Sequence, residues 1–530
     1  MKTRPRLRPF LGAGLLVASA SVIAVFLGSH GGTEWSRANP ATLPNIILIQ
    51  TDDQTLASLN RETMPATTRL LADRGTRFSN YVVSSPLCCP SRASLLTGQY
   101  PHNHRVISNA PGYSALEEKR NTLPAWLQRA GYRTAHVGKF LNRYDQYPTD
   151  PEDPAPGWDE WVTMLPPYSY FDYDLAVNGE RVDYGDADSD YLTTVLNRHA
   201  KRLVKEQLPR KRPLFLELDQ FAPHGQTTAL AGGCGRSALP LPGDFRRFAR
   251  AQLPSPPSFD EADVSDKPSF RQIVGQLPAA RTEGMRENYR CRLATLRAVD
   301  RGIRRVYNAV KNSGEADRTV FIFTSDNGFL QGEHRIPAQK AQPYEEAVRV
   351  PLLIKVPRGL RGGIERVRNV DETAANIDLA PTILQLARGE PCRSKSSCRT
   401  MDGRSLLGLL TRRSTAWPED RAILLGFTSG HQKNAKGESC NFSALRTGDR
   451  SYVEYRAIPN PRSGRCQATE EFEFYDLDRD PYQLDNLADP EDGPSPDGSE
   501  PSLETRLANL EDCAGIAGRD ERVDERPYCE

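Results

Sequence analysis

Short, unbroken apolar runs recur along most of this chain, each stopping abruptly at polar residues. Asn45-Ile46-Ile47-Leu48-Ile49-Gln50 is the first. Consecutive β-branched residues in so short a run predict a strand buried on both faces, as in a parallel sheet. Arg133 to Phe140, Arg212 to Leu218, Arg318 to Ser325 and Val350 to Pro357 repeat the pattern. Between them, helical spacing predicts helices over Met64 to Arg74, about Thr122 to Ala130, Glu287 to Asn312 and Ile377 to Ala387, and Gly75 to Val83 reads as a turn and a strand. Strands alternating with helices mean an α/β domain on a mostly parallel sheet. Asp145 to Asp190, rich in Pro, Tyr, Trp and Asp, reads as long loops over one end of that sheet, and Leu239 to Gln276 as an irregular insertion.

From about Ala422 the pattern changes to short strands and turns, Glu471 to Leu477 being the clearest, which predicts a smaller C-terminal domain on an antiparallel sheet. The reading is a leader over 1–28, a linker over 29–43, a large α/β domain over 44–415 and a small α+β domain over 416–530, with an acidic, Pro-rich loop at Pro490 to Pro501. The leader carries Lys2, Arg4, Arg6 and Arg8 before an uncharged, mostly apolar run from Phe10 to Gly28. It reads as a signal peptide or a membrane anchor, and either places the remainder outside the cytoplasm, secreted or held at the membrane.

Composition narrows the partners. With 69 Lys and Arg against 68 Asp and Glu, the global field excludes nucleic acid as the natural partner, so an anionic ligand must be held by local charge. Ten cysteines suit an oxidising compartment. Setting aside Cys88 and Cys89, neighbours in order suggest Cys234 with Cys291, Cys392 with Cys398, Cys440 with Cys466 and Cys513 with Cys529, although order alone does not fix connectivity.

The candidate chemistry lies where the strands stop. The first ends in Thr51-Asp52-Asp53-Gln54, which alone reads equally as an acidic turn capping a helix; a later one ends in Ser325-Asp326-Asn327-Gly328. Oxygen donors from separate strands, beyond their carboxyl ends, suit Ca2+ in preference to Mg2+. Lys139 and His224 also fall just past strand ends. Cys88-Cys89-Pro90-Ser91-Arg92 leads into an apolar helix-forming run, so Cys88 begins a helix, where backbone N–H groups attract anions.

Cys-x-Pro-Ser-Arg is the maturation signal of the type I sulfatases, and the chain resembles that family over most of its length. Gly131 to Leu141 resembles the family's second signature, and Tyr475-Asp476-Leu477 with Asp480-Pro481-Tyr482 its C-terminal strand and turn. Tyr100-Pro101-His102-Asn103-His104 and Gly138-Lys139-Phe140-Leu141-Asn142 are most similar to the N-acetylglucosamine-6-sulfatases and extracellular heparan endosulfatases. The resemblance implies an alkaline-phosphatase-like fold, oxidation of Cys88 to formylglycine by a maturation enzyme, and a sulfated carbohydrate or other sulfate ester as substrate. It implies Asp52, Asp53, Asp326 and Asn327 as calcium ligands with the modified Cys88 facing the metal, Arg92 beside the formylglycine hydrate, and Lys139, His224 and Lys340 on the sulfate. Many members carry histidine where this chain has Leu141, a departure shared with the glucosamine-sulfatase branch. Two other readings stand beside this one: an aryl sulfatase or phosphate or phosphonate ester hydrolase of the same superfamily, and a secreted sulfoglycan-binding protein in which Cys88 is never oxidised.

Overall fold

The structure is a computed structural model that describes residues 43–530 except 148–149, 209–211, 228–233, 236, 362–365, 395–396, 412–416, 430–438, 461 and 489–501. The leader, the linker up to residue 42 and the acidic loop at 490–501 lie outside the described residues.

Asn45–Thr51 lies within a ten-stranded sheet, paired in parallel with Leu214–Asp219 on one side and Thr319–Ser325 on the other. All three strands are wholly buried, as their unbroken apolar runs require. Ile46 and Leu48 enter the core on one face of the sheet, Ile47 and Ile49 the core on the other. Arg133–Gly138 and Glu160–Met164 continue the parallel block. The flanks are antiparallel: Leu352–Lys355 sits between Thr319–Ser325 and Thr76–Phe78, while Tyr173–Val177 and Glu180–Tyr184 close the opposite side. Because the five central strands run the same way, Asp52, Lys139, Gln220 and Asp326 all leave the sheet at one edge.

The expected helices form as Pro65–Ala72, whose second half is a π-helical turn, Leu123–Arg129, Leu379–Ala387 and Ala279–Asn312. The last is longer than its sequence reading by two turns at its start.

Asp145 to Asp190 differs from expectation. Instead of loops it holds the strands Glu160–Met164, Tyr173–Val177 and Glu180–Tyr184, which extend the main sheet. The outer two form a hairpin closed by Asn178-Gly179, both at positive φ (53° and 93°), the conformation of a two-residue turn that matches strand twist. Edge strands with one face in water show no apolar run: Glu180, Arg181 and Asp183 are exposed.

The C-terminal part forms a separate four-stranded antiparallel sheet of Ile423–Thr428, Asn441–Arg446, Arg450–Pro459 and Cys466–Asp476. Helix Leu503–Asp512 covers it through Leu503, Leu507 and Leu510, in one core with Val82, Tyr100, Val348 and Ile377 from the larger part. All four cysteine pairs suggested by order are disulfides, and Cys88 and Cys89 are free and buried. Among the described residues no helix is long and apolar enough to cross a membrane.

Candidate active site

Cys88 is the first residue of a buried helix, Cys88–Thr97, which stops at Gly98 in the left-handed conformation (φ 69°). Proline at its third position costs nothing there, since the first turn has no intrahelical acceptor for that N–H. Asn109 Oδ1 accepts from Cys89 N at 3.0 Å, tying the helix start to the following loop.

The expected residues converge on the Cys88 thiol. Its Sγ lies 3.4 Å from Asp52 Oδ1, 3.5 Å from Lys139 Nζ and 2.7 Å from Lys340 Nζ. Lys139 is also paired with Asp52, and Lys340 with Asp53. Lys340 comes from a distant loop, held against the Cys88 loop by Ala341 N donating to Pro86 O at 3.0 Å. Arg92, one turn along the helix from Cys88, donates from Nε to Asp326 Oδ2 at 2.9 Å, from Nη1 to Lys139 O at 2.7 Å and from Nη2 to Asp52 Oδ2 at 3.3 Å.

Asp53 takes up a left-handed conformation (φ 65°), and its N–H donates to Asp326 Oδ1 at 3.0 Å. Asn327 Nδ2 donates to Asp53 Oδ1 at 2.7 Å, while Asn327 Oδ1 is buried without a hydrogen-bond partner. His224 Nε2 stands 3.8 Å from Asp53 Oδ2, the imidazole 26% exposed where the site opens. Asp52, Asp53, Cys88 and His224 each offer a ligand atom within 4.8 Å of the others. Thus the sequence-predicted residues form one cluster around Cys88.

Burial opposes ionisation of Asp52, yet Lys139, His224, Arg92 and Lys340 together hold its carboxyl well below the usual range. Lys340 and His224 do the same for Asp53 against burial and Asp52. Burial, reinforced by Asp52, raises the Cys88 thiol far above its ordinary value, so the unmodified side chain is a neutral thiol and a weak nucleophile. Burial pushes His224 down to about 4 despite Asp52.

Two neighbours escaped the sequence reading. Arg292, buried on the long helix, donates to Asp53 O and to Pro223 O and stacks over the Phe329 ring at 4.0 Å. A helical arginine carries no local mark of such a role. Asp219, 3.6 Å from Arg92, does: it ends a buried strand just as Asp52 follows one. A cleft of about 740 Å³ meets the site past Asp53, His224, Arg292 and Lys340, and one of about 490 Å³ reaches Lys340 from Asn142, Arg143 and Tyr168.

Fold and site define an alkaline-phosphatase-like α/β protein whose oxygen donors and cations gather at the carboxyl edge of its sheet. A solved protein in complex with its substrate D-glucosamine-2-N,6-O-disulfate shares the fold, with a TM-score of 0.64 at 23% identity over 84% of this chain and 93% of that one. Residues 44–390 match the sulfatase family. The chain is 30% identical to the goat (Capra hircus) N-acetylglucosamine-6-sulfatase, covering 95% of this chain and 88% of that protein. It is 33% identical to the extracellular sulfatase SULF-1 homolog of Drosophila melanogaster over 77% of this chain but only 35% of that longer protein. The chain belongs to the sulfatase family, a family of sulfuric ester hydrolases.

Proposed function

We propose that this protein hydrolyses sulfate esters at Cys88 in its formylglycine form, acting outside the cytoplasm on glycans that carry 6-O-sulfated N-acetylglucosamine. The observation that carries the reading is the convergence of Asp52, Lys139 and Lys340 on one buried cysteine at a helix start, within the Cys-x-Pro-Ser-Arg motif. The named substrates of the goat enzyme and of the solved complex support the sugar.

The residues present fit a hard cation. Asp52, Asp53, Asp326 and Asn327 supply oxygen donors alone, and the orphaned Asn327 Oδ1 belongs to a side chain already joined to Asp53. These four would hold Ca2+, which when bound supplies Lewis acidity toward an ester oxygen and favours the ionised nucleophile. A hydrated formylglycine offers one hydroxyl for attack on sulfur and a second whose later collapse releases sulfate. Lys139 and Lys340, whose ammonium groups flank the Cys88 position, neutralise the sulfate oxygens as charge builds on them. Arg92 holds Asp52 and Asp326 in place and faces the hydrate. His224 stands at the mouth, where its neutral imidazole can hydrogen-bond the leaving alcohol, and the ammonium of Lys139 or Lys340 is the proton source for that alcohol.

The expected outcome is that Cys88→Ala reduces sulfate release from N-acetylglucosamine-6-sulfate and from an aryl sulfate to background while the fold persists. Full activity in that variant overturns the mechanism. Release from the aryl ester without release from the sugar overturns only the substrate, and a faster rate on aryl phosphate favours the phosphoryl reading. Intact mass of the Cys88 peptide from the native host reports the modification directly.

A further inference from the structure

A second constellation lies inside the sheet beneath this centre. Strands Arg133–Gly138 and Leu214–Asp219 pair in parallel with His136 opposite Glu217 and Gly138 opposite Asp219. Side chains alternate along a strand, so His136, Glu217 and Asp219 share a face. None is more than 3% exposed, and each offers a ligand atom within 4.8 Å of the others. His136 Nδ1, Glu217 Oε2 and Asp219 Oδ1 all lack a hydrogen-bond partner. Two buried carboxylates without full compensation are costly.

The nearby cation relieves them only in part. Arg92 is bonded to Asp326 and to the Lys139 carbonyl, and its Nη1 stays 3.6 Å from Asp219. Phe140, Trp158 and Trp161 wall the imidazole with ring centroids at 5.2, 5.5 and 4.8 Å, leaving an apolar surround on that side. His136 Nδ1 lies 3.6 Å from Asp219 Oδ2, close to the roughly 3.4 Å edge of a tetrahedron with metal–ligand bonds of about 2.1 Å. Burial drives His136 down to about 3, which keeps the imidazole in its neutral, ligating form. Burial also raises Glu217 and Asp219, the latter to about 7, a penalty that a bound cation removes.

We propose that His136, Glu217 and Asp219 bind a divalent transition ion of the Zn2+ class as a structural site, separate from the all-oxygen cluster at Asp52, Asp53, Asp326 and Asn327. One imidazole with two carboxylates suits Zn2+ or Co2+ and is poor in oxygen for Ca2+. The ion clamps the strand that ends at Lys139 to the strand whose Asp219 carbonyl accepts from Lys139 N at 3.0 Å, and so fixes the base of the reaction centre. This proposal does not depend on the sulfatase chemistry.

The test uses the full chain in excess Ca2+, which occupies the hard-cation site, titrated with Co2+ or Zn2+ and freed of loose metal by gel filtration. Expected are about one retained ion per chain and a Co2+ absorption spectrum of tetrahedral type. His136→Gln and Glu217→Gln should lose that ion while keeping Ca2+. Should those variants not fold, X-ray absorption of the Zn2+-loaded His224→Ala full chain decides, a single imidazole in the metal shell supporting the site and a purely oxygen shell overturning it. No retained transition ion in the wild type, or equal retention in both folded variants, also overturns it.

Discussion

Two residues show how single positions bind the site to the fold. Arg92 makes a planar set of contacts to Asp326, Asp52 and the Lys139 carbonyl that an ammonium cannot reproduce. Arg92→Lys should therefore lower kcat/KM on an aryl sulfate roughly 100-fold with a smaller change in Tm, a loss typical of one misplaced electrostatic group. Gly138 sits at φ 127°, and a Cβ there would meet the backbone Asp219 O at 1.7 Å. Gly138→Ala should cost about 3 kcal/mol or more, read as a fall in Tm and in the urea midpoint. An unchanged midpoint would show that the two strands can separate without penalty.

At the scale of elements, legibility followed burial. Asn45–Thr51 and Thr319–Ser325 were readable because a strand covered on both faces must be apolar throughout, and the polar residues that stop them are the donors themselves. The hairpin Tyr173–Val177 with Glu180–Tyr184 was missed because its outer strand faces water, though Asn178-Gly179 marked its turn. Lys340 was found only through family resemblance, since no strand end precedes it and a loop delivers it across the fold. Helix Leu192–Gln207, which packs on the long helix Ala279–Asn312 and touches that hairpin at Tyr184, makes a measurable claim of its own. Tyr184 Oη and His199 Nε2 are 3.2 Å apart, and burial, aided by Arg202 and Arg198, pushes His199 down to about 4. Between about pH 6.5 and 4 the unfolded chain binds a proton that the folded helix refuses, so this contribution is whole above about 6.5 and is lost as pH falls. His199→Gln should flatten the acid limb of stability by roughly 2 kcal/mol, measured by urea melts across that range. Parallel acid limbs in the variant and the wild type would rule out the His199 contribution.

Across the whole molecule, the C-terminal sheet bears on the reaction centre through a few buried polar joints. Arg446, on its second strand, donates to Glu345 Oε1 at 2.7 Å and Oε2 at 3.2 Å, and Arg446 holds Glu345 below the usual carboxylate range although burial opposes it. Glu345 begins the short helix Glu345–Val348, five residues after Lys340, and Tyr344 beside it donates to Glu473 Oε1 of the fourth strand at 2.9 Å. Ser439 adds a bond to the Ala341 carbonyl at 2.9 Å. The loop that presents Lys340 to Cys88 is thus fastened from behind by the smaller sheet. Arg446→Leu leaves the buried Glu345 carboxylate with only the more exposed Arg349, 3.3 Å away, to face it, which should cost about 3 kcal/mol. Glu345→Leu alone strands the guanidinium similarly, whereas the double variant removes both charges and should recover a large part of either loss. A double variant as unstable as the two singles summed would mean that the pair is not an interacting joint. If it is one, Arg446→Leu should also reduce kcat on an aryl sulfate well below the melting transition, because the Lys340 loop loses its backing before the fold is lost.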